Sequence, residues 1–99
     1  MVRRRRRRLG VVALDGRLEA EIERSGLLEV QLVPSRGETT VVSDDGARAV
    51  AWLAASGELA ALLVQDYANG ESRVIPFGFG DVELVADGDE IAVYLRPRR

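Results

Sequence analysis

Ninety-nine residues, 46% apolar and 30% charged with a net charge of −2, suit one domain with a light core of Val, Leu, Ala and Ile. The chain has no Cys, no His and no Lys. This excludes disulfides, thiolate catalysis, Cys- or His-based metal sites, histidine bases, Schiff bases and P-loop lysines.

What remains for chemistry is carboxylate, Ser, Tyr and Arg. The expectation is therefore a non-enzyme, with no catalytic residue, cofactor or metal assigned. Charge is segregated. Nine of the fourteen arginines lie in residues 3–8 and 96–99, so residues 9–95 hold five arginines against all sixteen acids, a net of −11. Such asymmetry describes a charged tail on an oppositely charged body.

The chain opens MVRRRRRRLG. Arg3, Arg4, Arg5, Arg6, Arg7 and Arg8 form a basic arm over residues 1–8, expected to be disordered. The arm is a candidate contact for RNA or DNA. It also reads as a bystander tail from GC-rich codon usage, or as a segment folding back on its own acidic body. No aromatic interleaves the run, so base stacking is not part of it. The apolar stretch LGVVAL stops at Asp15, short of a secretory or twin-arginine signal. No apolar run approaches the ~18 residues of a membrane helix. A cytoplasmic location is the expectation.

GVVAL and RLEAEIE flank Asp15-Gly16, the sequence of a two-residue hairpin turn. In RLEAEIE, a period of two puts Leu18, Ala20 and Ile22 on one face and Glu19, Glu21 and Glu23 on the other. That carboxylate stripe is a candidate surface for a basic protein partner, or a solvated sheet face. Ser25-Gly26 makes the next turn and LLEVQLV the next strand, so residues 10–33 are predicted as a three-stranded meander. VPSRGE is a loop, and TTVVS a fourth strand.

ARAVAWLAAS at 47–56 admits two readings. Its five alanines favour a short helix over 47–55, whereas the alternation of Val50, Trp52 and Ala54 favours a strand running through Ser56-Gly57 into ELAALLV. Trp52 is expected in the core. Asn69-Gly70 and Asp87-Gly88 each predict a hairpin, and Pro76 belongs at a sheet edge or a strand end. In GFG, Phe79 is a candidate exposed anchor for a protein partner, or a plug at a barrel end. The carboxylates at Asp44-Asp45 and Asp87–Glu90 read as turn chemistry rather than as a cation loop.

Together these elements predict a mainly β domain over residues 9–96. It is a small antiparallel barrel or sandwich of about 7–8 short strands, followed by a basic tail at 97–99.

Four stretches, VVSDDG at 41–46, AVAWLAASGELAALLV at 49–64, RVIPF at 73–77 and DVELVADGDEIAV at 81–93, carry a further reading. In their order and spacing, residues 39–95 resemble the PRC-barrel family. The chain departs from the family at Ala49-Val50, where a Gly-Arg/Lys-Val/Ile pattern is typical, and at GFG, which lengthens the link after Phe77. Residues 9–37 have no counterpart there. The resemblance implies a compact β-barrel with 47–55 as strand, and a docking role. The family includes a domain of the photosynthetic reaction-centre H subunit and the C-terminal domain of a ribosome-maturation factor. It implies no catalysis and no residue roles to carry over.

The expected function is a non-catalytic adaptor docking onto another protein, with a ribonucleoprotein as one setting. The alternatives are a nucleic-acid-binding protein using the arginine arm, and an orphan or artificial β scaffold without a selected activity. An exposed edge strand leaves a homodimer open.

Overall fold

Alternating apolar and polar residues dictate strand over most of the chain, and tight turns separate the strands. The computed structural model describes residues 5–34, 37–46 and 48–98. In chain order the elements are β1 (Arg7–Ala13), α1 (Gly16–Ser25), β2 (Leu28–Gln31), β3 (Thr39–Val42), β4 (Ala49–Leu53), β5 (Leu59–Val64), β6 (Arg73–Phe77), β7 (Gly80–Asp87) and β8 (Glu90–Pro97).

The strands form two four-stranded sheets, ordered β1-β8-β7-β6 and β2-β5-β4-β3, with every pairing antiparallel. The first sheet turns Ile75, Phe77, Val82, Leu84, Ile91 and Val93 inward. The second supplies Leu28, Val30, Ala51, Leu59, Leu62 and Val64 to the same buried cluster. The mainly β, antiparallel architecture is as expected. Among the described residues, however, the sheets do not close into a barrel. At one seam the Asp44 N–H donates to the Pro76 carbonyl at 2.8 Å. At the other, Leu32 crowds Gly10, with its Cδ2 2.9 Å from where a Cβ would stand.

The expected meander is corrected by α1. Asp15-Gly16 does not turn a hairpin; Asp15 caps a helix, its carboxylate accepting the Leu18 N–H at 2.8 Å. The helix ends at Gly26, which takes the left-handed conformation (φ 70°) while its N–H reaches the Ile22 carbonyl at 2.7 Å. Leu18 and Ile22, four residues apart, lie against the core, whereas Ala20, which a period of two would bury, is exposed. Residues 10–33 are therefore strand, helix, strand.

Two further readings are settled. Residues 49–53 are strand, not helix: β4 is paired on both sides, and Ala49 and Ala51 are buried, so tertiary pairing overrides alanine's propensity. Asn69-Gly70 is not a hairpin turn, because β5 and β6 belong to different sheets and residues 65–72 cross between them. Asp87-Gly88 does mark a hairpin, with Gly88-Asp89 joining β7 to β8, and Pro76 lies on edge strand β6 as expected. The basic arm is not disordered throughout, since Arg7 and Arg8 open β1; residues 1–4 lie outside the described residues. Likewise Pro97 ends β8 instead of starting a tail, and Arg99 is outside the description.

Candidate functional site: two unlike outer faces

Each sheet has an outer face, and register fixes its composition. On β2-β5-β4-β3 two cross-strand rows face outward. One runs Glu29, Leu63, Val50, Val42; the other runs Gln31, Ala61, Trp52, Thr40. Only Glu29, on edge strand β2, is charged. Val42 is 49% exposed, and Trp52, Leu63, Val50 and Ala61 are half-buried. Trp52 is thus not a core residue. It lines a groove of about 500 Å³ together with Glu29, Gln31, Gly37, Ala61 and Leu63. Gly37 allows the loop to approach this closely, since a Cβ there would stand 2.4 Å from the Trp52 Cβ.

The outer face of β1-β8-β7-β6 interleaves charge with apolar residues, exposed Val11 and Val74 among them. Glu83 is its hub. The Arg6 guanidinium donates to one carboxylate oxygen at 3.0 Å, and the Arg96 Nε lies 3.1 Å from the other. Glu83 is only 12% exposed. Arg6 also lies over the Tyr94 ring, 4.0 Å from its centroid, a cation–π contact. From the other terminus, Arg98 reaches Asp81 at 3.3 Å and Asp44 at 3.4 Å. Part of the basic run therefore folds back on its own acidic body.

The remaining sequence candidates are dispersed. Glu19, Glu21 and Glu23 form no sheet stripe, because they lie on α1. Glu19 accepts a hydrogen bond from the Asn69 side chain at 3.0 Å, Glu21 pairs with Arg24, and Glu23 is exposed. Phe79 sits in the two-residue β6–β7 turn but folds back onto the core. Its ring stacks on Phe77 with centroids 5.0 Å apart. Asp45 accepts the Ser43 hydroxyl at 2.6 Å, and that hydroxyl accepts the Ala49 N–H at 3.1 Å, which closes the β3–β4 turn. Among the described residues no three acidic side chains converge as a metal site.

The densest polar cluster serves the crossover. Arg73 grips Glu71 through Nε at 2.8 Å and Nη2 at 3.0 Å, and donates to the Gln65 carbonyl at 2.8 Å. Tyr67, buried, donates to the Glu71 carbonyl at 2.5 Å. The Arg73 hydrogen bonds lower the Glu71 carboxyl below its ordinary range, while burial, reinforced by Glu71, raises the Tyr67 phenol. These groups hold residues 65–72 between the sheets.

Sequence reasoning missed the apolar outer face. Its signal lies in AVAWL and LAALLV, which lack the polar alternation of a strand with one wet face. No helix of the described residues is long and apolar enough to cross a membrane. No family model, curated protein or solved structure matches this chain.

Proposed function

We propose that this protein is a non-catalytic docking module, and that the outer face of β2-β5-β4-β3 around Trp52 receives another protein. The observation that carries this is the composition of that face. A contiguous patch of Trp52, Leu63, Val50, Val42 and Ala61 is edged by Glu29, Gln31 and Thr40. An apolar centre within a polar rim is the anatomy of a protein–protein interface, and a half-buried Trp in a groove is a favoured anchor. Two sequence features support the same reading. The chain lacks the residue types of most catalytic centres, and residues 39–95 resemble the PRC-barrel family, whose roles are mostly docking. The occupant that fits is a folded protein partner offering a complementary apolar patch.

Trp52 is the sole tryptophan, so its emission reports on the groove directly. Partners captured by the intact chain but not by Leu63→Glu would be purified and titrated against both forms. The expected result is a partner that shifts Trp52 emission and binds Leu63→Glu at least about thirtyfold more weakly, as a charge in an interface centre requires. Partners indifferent to both readouts would overturn the assignment. So would sedimentation showing a dimer of the intact chain that Leu63→Glu dissociates, since the occupant would then be a second copy.

A further inference from the structure

We infer that the start of β1 is a phosphate-binding edge for nucleic acid, carried by Arg5, Arg7 and Arg8, with Arg6 excluded from that role. The site lies on the other sheet from the Trp52 groove and does not depend on it.

The inference rests on which arginines are already engaged. Among the described residues, Arg6, Arg24, Arg48, Arg73, Arg96 and Arg98 each pair with a carboxylate. Arg5, Arg7, Arg8 and Arg17 make no such pair; Arg7 and Arg8 open the edge strand β1, and Arg5 lies two residues before it. All three are exposed. Even fully extended, three residue steps span about 10 Å, so the three Cα atoms lie within about that distance of one another.

Their surroundings explain why an acidic body does not cancel them. Arg8 stands on the outer face opposite Tyr94, and Arg7 on the other side of the strand opposite Leu95. The acids nearest in register on the outer face are occupied, Glu83 by Arg6 and Arg96 and Asp81 by Arg98. The acids at the far end of the sheet begin at Glu90, opposite Ala13, five residues along β1. That is about 17 Å of strand, roughly twice the ~8 Å screening length at physiological salt. Three unneutralised guanidinium forks on an extended backbone therefore face solvent, and they match the charge and hydrogen-bonding geometry of successive phosphates. A phosphodiester strand suits this edge better than a membrane surface. Positions 5–8 offer no apolar side chain to insert, and Leu9 packs against the core. Recognition would be of backbone phosphate, without sequence preference.

Arg6 has another task. It is held between Tyr94 and Glu83, so it anchors the strand and fixes the outward row in which its neighbour Arg8 stands.

The test is fluorescence anisotropy with a labelled single-stranded RNA and a DNA duplex, using the full chain across a salt series. The intact protein is expected to bind both probes, and affinity to fall as salt rises. Replacing Arg5, Arg7 and Arg8 together by Ser should weaken binding at least about tenfold and flatten the log–log salt slope by about two for RNA and about three for duplex. The same positions changed to Lys should retain most of the affinity, which separates charge from folding. Arg6→Ser should lower the thermal midpoint while changing affinity less than about threefold. The proposal is overturned by absence of binding at low salt, by a triple Ser variant that binds like the intact chain, or by an Arg6→Ser loss equal to that of the triple variant. Binding to anionic phosphatidylserine vesicles but to neither nucleic acid would overturn it in favour of a lipid surface.

Discussion

The two sheets present the same kind of inner face to one core, yet their outer faces differ: one is charged and largely paired, the other is mostly apolar. On the outer face of β1-β8-β7-β6 most of the charge is paired within the chain, with Arg8 left exposed. Glu83 holds two arginines, Asp81 holds a third, and Tyr94 lies under one of them. The outer face of β2-β5-β4-β3 pairs Leu63 with Val50, Val50 with Val42 and Ala61 with Trp52, and leaves that row of apolar groups at the surface. Charge paired within the chain needs nothing further. Apolar area at the surface gains free energy only when something covers it.

The largest effect is expected where the two faces share a core. Phe77, on β6, is fully buried in the core cluster that both sheets line, so Phe77→Ala should cost about 3–5 kcal/mol, read as a lost or strongly lowered cooperative melt. A loss confined to one sheet would show that the core is not common.

On the charged face, Glu83→Gln removes the negative charge shared by two guanidinium groups and one of the two acceptor oxygens. Both arginines are partly exposed, so the discounted effect is about 1 kcal/mol, equivalent to a fall of about 4–8 °C in Tm. High salt should shrink the difference between the two forms, and an unchanged Tm would make the pairs ornamental.

The crossover between the sheets should respond to pH. Glu71 is lowered below its ordinary value of 4.5, so its contribution is present above that value and is lost as pH falls through the lower, folded one. Glu71→Gln should flatten the acid limb of a Tm-against-pH curve. Tyr67 is raised above 10.0, so its contribution is present below that value and is lost as pH climbs through the higher one. Tyr67→Phe should flatten the alkaline limb.

The smallest effect belongs to the apolar face. Leu63→Glu sets a second carboxylate directly opposite Glu29 and should cost no more than about 1 kcal/mol, part of which high salt should relieve. The substitution chosen to weaken the proposed docking should thus still melt cooperatively, within a few degrees of the intact chain. A large drop in Tm would mean that Leu63 serves the core and that the two outer faces differ less than their composition suggests.

Most strand positions, the β7–β8 hairpin, the placement of Pro76 at an edge or strand end and the exclusion of Cys, His and Lys chemistry are legible in the residues alone. Each of these depends on local alternation, on turn residues or on composition. Tertiary structure decided the rest. Asp15-Gly16 is compatible with a hairpin or a helix cap, and only the burial of Ile22 against two sheets selects the helix. Asn69-Gly70 turns the chain either way, and only the sheet to which β6 is paired makes it a crossover. Six arginines in a row are equivalent on paper. The fold separates them, because Glu83 and Tyr94, distant in sequence, take Arg6 and leave Arg5, Arg7 and Arg8 to the solvent.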